Sequence, residues 1–218
     1  MIFFDSELTD AERDFDTARF RVIPVPLERT VSYGSGTAGG PKAIIDASNE
    51  LERLWRGGFP CTAGIVTEGA VACDGPLPTV MDRIAERTRD AVAAGKVPVV
   101  LGGEHSLTYG AVMGVVSAMD EPIGIVQIDA HADLRIAYQG ERHSHASVMH
   151  LLAGEEHVAL AQYGVRALCA QEVESRAAFG VTFCDGEDMA SGATPELPAE
   201  FPQKIYVSFD VDGLDPAV

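Results

Sequence analysis

At 218 residues, with 46% hydrophobic side chains and a mean hydropathy of +0.07, the chain has the make-up of a globular protein able to bury a sizeable core. Its 16 Lys and Arg against 33 Asp and Glu leave a formal net charge of −17, which argues against nucleic acid and suits cationic small molecules or divalent ions. Cys61, Cys73, Cys169 and Cys184 form no C-x-x-C pair, the N-terminus has no secretory pattern, and no apolar run approaches membrane-spanning length, so a cytoplasmic protein with no membrane partner is expected.

Residues 20–25 read as a first strand, followed by a helix over 41–54 with Pro41 in its first turn and a second over 79–94 closed by Gly95. A strand at 97–101 leads into a helix over 106–119, and 123–129 is the next strand. Residues 145–153 and 172–179 read as helices around a strand at 158–165, with final strands at 181–184 and 205–210. Residues 191–198 read as a surface loop. This alternation predicts an α/β fold with a mainly parallel sheet, and without repeat or linker it predicts a single domain over 1–218.

Two segments carry most of the chemistry: Asp-Ala-His-Ala-Asp at 129–133 and Ser-Phe-Asp-Val-Asp at 208–212. Each closes an apolar run that reads as a buried parallel strand. In extended chain, alternate side chains share a face, so Asp129, His131 and Asp133 are expected to converge, as are Asp210 and Asp212. At ~5 Å and an effective dielectric of ~20 each ionised carboxylate pair repels by roughly 3 kcal/mol, so four converging aspartates cost roughly 20 kcal/mol. That exceeds the ~5–15 kcal/mol stability of a typical domain. The aspartates must diverge, take up protons or share cations, and the repeated alternation favours cations. A third segment, Gly-Gly-Glu-His-Ser at 102–106, follows a predicted strand and would present His105 at the same sheet edge. Two imidazoles and four carboxylates exceed what one four-coordinate zinc takes, and suit two oxygen-loving divalent ions such as Mn²⁺.

The three segments, in this order, resemble the ureohydrolase family of arginases and agmatinases, and the resemblance runs from Thr30 to the Asp-Gly-Leu-Asp-Pro that begins at Asp212. It implies a three-layer α/β/α fold with a parallel central sheet and the metal site at the carboxyl ends of its strands. It also implies a homo-oligomer, two Mn²⁺ per subunit and hydrolysis of a small cationic guanidino substrate to urea and an amine. By motif position His105 and Asp133 would hold one metal, His131 and Asp212 the other, with Asp129 and Asp210 bridging. A metal-bridging hydroxide would attack the guanidinium carbon, Asp133 passing its proton to the leaving amine and His145 acting as proton shuttle. Four carboxylates, two dications and a hydroxide leave the site near −1, hospitable to a guanidinium.

The stretch after Asp133 lacks the Asn- and Ser/Thr-rich loop of arginases and is similar to the agmatinase pattern Asp-Leu-Arg-x-x-Tyr-x-Gly…Ser-His-Ala-Ser, which points to agmatine, with putrescine and urea as products. Arg135 would repel a guanidinium and is expected to pair with an acidic neighbour. His143, His150 and His157 read as solvated, and the Gly34–Gly40 loop as a structural turn rather than a phosphate cradle. Relative to the family, the glycine-rich loop and guanidinium-gripping glutamate beyond Pro216 are expected to be lacking. A guanidino-acid or formimino hydrolase of the same family, or a metal-binding but inactive scaffold, are the alternatives. Binuclear phosphoesterases would need Gly-Asp-x-x-Asp and Gly-Asn-His-Glu segments, and neither occurs.

Overall fold

A computed structural model describes residues 1–215 and 217, so Pro216 and Val218, within the last stretch considered above, lie outside the described residues. The chain divides into two compact units, Met1–Ala118 and Met119–Val218.

In the first unit β1 (Phe20–Val25) is the central strand, with β2 (Ile65–Thr67) and β3 (Val97–Gly102) parallel to it on either side. Phe20 stands opposite both Ile65 and Val97, which fixes the register at the strand starts. Three helices follow strands or loops: α1 (Gly40–Ala47), α2 (Leu77–Ala93) and α3 (Leu107–Ser117). Buried Val80, Ile84 and Ala91 line one face of α2, and α3 carries buried Ala111 and Val112. The two helices approach closely at Gly110 and Gly114, where a Cβ would come within 2.6 Å of Met81 O and 2.2 Å of Ala85 O. Thr88 Oγ1 donates across this contact to Ala111 O at 2.9 Å.

In the second unit four parallel strands lie in the order β6 (Thr182–Cys184), β5 (Val158–Tyr163), β4 (Ile123–Ile128), β7 (Lys204–Phe209). Its helices are α4 (Val148–Ala153), α5 (Ala170–Phe179) and the single turn α6 (Gly186–Ala190). Ile123 and Ile125 of β4 are buried together with Leu134, Met149 and Leu152. A run of hydrophobic residues on β7 suggested a strand buried on both faces. Instead β7 is the outer strand of this sheet, and Ile205, Val207 and Phe209 are exposed.

The helix expected over 41–54 ends at Ala47. Ser48 Oγ donates to Ile45 O at 2.6 Å and accepts the Phe4 N–H at 2.7 Å, so the N-terminal segment captures the residue that would continue the helix. The short β2 and α6 lay below what periodicity can register. No helix among the described residues is long and apolar enough to cross a membrane.

Candidate metal centre

The turn after β3 is built for close backbone approach. A Cβ on Gly103 would stand 2.1 Å from Leu27 O, so no side chain fits there. Gly103 and Glu104 N–H groups donate to Val25 O and Leu27 O at 3.1 and 2.9 Å, laying the turn along the end of β1. Glu104 is buried and works as a clamp. Its Oε2 accepts the Arg29 and Thr30 N–H groups, each at 2.6 Å. Its Oε1 accepts the Thr30 and Ser106 hydroxyls at 2.8 and 2.5 Å. His105, half-buried, is thereby placed just beyond the carboxyl end of β3. The Gly34–Gly40 loop is structural, as expected. Glu28 fills it, accepting the Gly36 and Ala38 N–H groups at 2.8 Å each, and these bonds hold its carboxyl below the usual range.

In the second unit the chain leaves β4 at Ile128 and the motif 129–133 is a loop, not extended strand. Asp129 N–H donates to Tyr163 O at 3.2 Å and Asp210 N–H to Ile128 O at 2.9 Å, which brings both acidic loops to the carboxyl ends of β4 and β7. Asp212 follows in a 3-10 turn, its N–H bound to Asp210 Oδ1 and its own Oδ1 accepting the Ala130 N–H, both at 3.1 Å. His131 Nδ1 then lies 3.1 Å from Asp212 Oδ2 and 3.7 Å from Asp129 Oδ1. Asp129, His131 and Asp212 each offer a ligand atom within 4.8 Å of the others, and Asp210 brings an oxygen equally near to Asp129.

This donor set fits divalent cations. Burial and the charges of Asp210 and Asp129 raise the Asp212 carboxyl, against the Ala130 N–H and His131, which lower it. The cluster therefore carries mutual repulsion of the kind a divalent ion relieves, and carboxylate with imidazole suits Mn²⁺ or a similar metal.

A profile of the arginase family matches residues 18–218, across both units. The chain belongs to the arginase family. The N(1)-aminopropylagmatine ureohydrolase of Thermus thermophilus is 33% identical over 218 residues, spanning 97% of this chain and 74% of the relative. The agmatinase of Pyrococcus horikoshii is 32% identical over 216 residues, with 97% and 74% covered. The solved agmatine ureohydrolase of Thermoplasma volcanium matches with a TM-score of 0.81 at 26% identity, over 100% of this chain and 73% of that one. The arginase from Medicago truncatula, at a TM-score of 0.83 and 24% identity over 98% and 74%, has the same fold. The α/β class predicted from the alternation, with the three-layer α/β/α arrangement that the resemblance implied, is thus the arginase-family fold.

Within this arginase-family chain the remaining motif residues are placed as follows. Asp133 does not join the Asp129–His131–Asp212 group, among the described residues. The alternation argument assumed extended chain through Asp133, but its φ is +52°, which turns it out of that pattern. Its position is nonetheless held firmly: Asp133 O accepts the Met149 and His150 N–H groups at 3.0 and 3.2 Å, and Leu134 N–H donates to buried Glu172 Oε1 at 3.1 Å. His145 opens the 3-10 turn before α4, its ring edge-on to Tyr138 at 5.4 Å. Arg135 lies over the Tyr138 ring, 5.5 Å from the centroid, where an acidic partner was expected. His150, read as solvated, is half-buried: it packs edge-on against Phe179 at 5.1 Å, and burial lowers its pKa.

Sequence reasoning missed Gln127, Gln162 and Arg176, three buried polar residues that lead to Asp129. Their signal was available: Gln127 and Gln162 each interrupt an otherwise apolar strand.

Proposed function

We propose that this chain is an Mn²⁺-dependent ureohydrolase that converts agmatine to putrescine and urea. The observation that carries the reading is the Asp129–His131–Asp212 cluster on two acidic loops of an arginase-family chain. Hydrolysis of a guanidino C–N bond is the activity of the agmatinases and aminopropylagmatine ureohydrolases to which the chain is similar. His131, Asp129, Asp210 and Asp212 would hold two metal ions, with His105 and Asp133 added by motif position. A divalent pair supplies hydroxide from water at neutral pH and polarises the group under attack.

The chain's own residues do the rest. Asp133 accepts a hydrogen bond from the attacking water through its carboxylate and passes the proton to the leaving amine. His145, on a half-buried turn edge-on to Tyr138, carries to solvent the separate proton released when the next water is deprotonated. Agmatine has no carboxylate, and the loop 134–147 supplies no Asn-rich reader for one. The relatives favour one second reading: N(1)-aminopropylagmatine, a longer cationic guanidine, is named for the proteins of Thermus thermophilus and Synechocystis.

The test is urea release by the Mn²⁺-loaded chain with agmatine, N(1)-aminopropylagmatine, arginine and 4-guanidinobutyrate in parallel. Urea from agmatine, in preference to the others, is the expected result. Preference for the aminopropyl compound would replace the substrate and keep the chemistry. Urea from no guanidine, with Mn²⁺ bound, would overturn the reading in favour of a metal-binding scaffold.

A further inference from the structure

Arg176 of α5 is only 5% exposed, and Gln162 of β5 and Gln127 of β4 are 0% exposed. The two glutamines are register partners on neighbouring strands. Arg176 Nη1 and Nη2 donate to Asp185 at 3.1 and 2.9 Å, and Arg176 Nε donates to Gln162 Oε1 at 2.9 Å. Gln162 Nε2 donates to Gln127 Oε1 and to Ala132 O, both at 2.6 Å. Gln127 Nε2 donates to Asp129 Oδ2 at 2.7 Å and to His131 O at 3.2 Å.

The direction of this chain is forced. A guanidinium has donors only, so Gln162 must turn its oxygen to Arg176 and its NH₂ to Gln127. Gln127 must then accept at its oxygen, which leaves its own NH₂ for Asp129. Each amide has one orientation because its neighbour has one, back to a cation that cannot accept. Asp129 Oδ1 takes the His131 N–H at 2.7 Å, so each oxygen of this carboxylate receives a donor and its plane is set.

We propose that Arg176, Gln162 and Gln127 are positioning residues, a one-way donor relay that orients the Asp129 carboxylate for metal binding. The proposal rests on the metal-centre reading above. Removing the source of direction lets the glutamine amides flip, and a flipped Gln127 turns its oxygen toward Asp129. The discriminating variant is Gln162→Glu. A glutamate still pairs with Arg176, but it cannot donate, so Gln127 is drawn to give its NH₂ to residue 162 and loses its hold on Asp129.

Mn²⁺ affinity of the full chain is measured by electron paramagnetic resonance of free Mn²⁺, with circular dichroism of each metal-free variant as the fold check. Gln162→Glu, Arg176→Met and Gln127→Met are each expected to weaken Mn²⁺ binding ~10–100-fold, the usual loss when a partner that orients a metal ligand is removed. Arg176→Lys, still a donor-only cation, should recover most of the affinity. The double variant Gln127→Met with Arg176→Met should lose no more than Gln127→Met alone, because the relay acts through Gln127. Losses that add, or folded variants that bind Mn²⁺ like the parent, would overturn the relay. Should Gln162→Glu fail to fold, the Arg176→Lys rescue and the double variant decide alone. A parent chain that binds no Mn²⁺ removes the metal reading and the relay with it, an outcome distinct from a parent that binds and variants that do not differ.

Discussion

His131 Nδ1 lies 3.1 Å from Asp212 Oδ2 and 3.7 Å from Asp129 Oδ1, one imidazole nitrogen facing carboxylates from two separate loops. A divalent ion seated among these three groups would take one imidazole nitrogen and an oxygen from each carboxylate as ligands. Asp212→Asn tests this directly. The asparagine oxygen can still accept the Ala130 N–H that Asp212 Oδ1 accepts at 3.1 Å, so the turn is expected to persist. Mn²⁺ affinity should fall by more than the ~10–100-fold lost when a partner one step removed from a metal is deleted. Free-Mn²⁺ titration checks it, and affinity like that of the parent chain would remove Asp212 from the ligand set.

Gly213 guards the same geometry. A Cβ there would meet Asp129 N at 3.0 Å, Asp129 Cα at 3.1 Å and Ile128 C at 3.2 Å, all backbone atoms that yield little. Gly213→Ala must therefore push the 211–213 turn away from Asp129, at a cost of about 1–3 kcal/mol. Weaker Mn²⁺ binding, by ~10-fold or more, is expected alongside a modest fall in urea-denaturation midpoint. Unchanged affinity would mean that the turn and Asp129 move together.

Glu104 makes a prediction about the first unit alone. Its four hydrogen bonds tie Arg29, Thr30 and Ser106 together around one carboxylate. Glu104→Ala is expected to destabilise the chain by about 2–4 kcal/mol, through the loss of four hydrogen bonds to one buried carboxylate. Glu104→Gln should fall between, since an amide oxygen still serves one side of the turn while its NH₂ faces donors on the other. Urea denaturation of both variants ranks them, and a Glu104→Gln variant less stable than Glu104→Ala would show that donor–donor conflict outweighs the lost bonds.

The sequence made the sheet strands at β1, β3, β4 and β5 legible because each is an apolar run between turn residues. It made the acidic motifs legible because their residue types are costly together without a cation. What it could not give was geometry that depends on pairing. Asp129, His131 and Asp212 meet because Asp210 N–H bonds to Ile128 O across two strands, not because an extended chain alternates through 129–133. Asp133, with its φ of +52°, shows where that local rule stops. Gln127 and Gln162 could be noticed as polar interruptions, but their bond to each other follows from the β4–β5 register, which no local pattern encodes. Helix 41–54 was overestimated for the same reason: Ser48 is claimed by Phe4, 44 residues away in the chain.

The N-terminal segment supplies the prediction on pH. Arg53 Nη1 and Nη2 donate to Glu12 at 2.9 and 2.6 Å, and Thr9 adds its N–H and hydroxyl at 2.8 and 2.9 Å. The Arg53 hydrogen bonds, then the Thr9 N–H, bring the Glu12 carboxyl from 4.5 down to about 2. A carboxyl whose pKa falls on folding stabilises the folded state wherever it is ionised in both states. That contribution is complete above the unfolded value of 4.5 and is lost as pH falls from there toward about 2. Glu12→Gln should therefore melt below the parent at pH 7, with the gap closing through this acid window. Melting curves at pH 7, 5, 4 and 3 measure it. A gap that stays constant down to pH 3 would assign the loss to the Gln NH₂ facing the Arg53 and Thr9 donors rather than to the missing charge, since that conflict does not titrate.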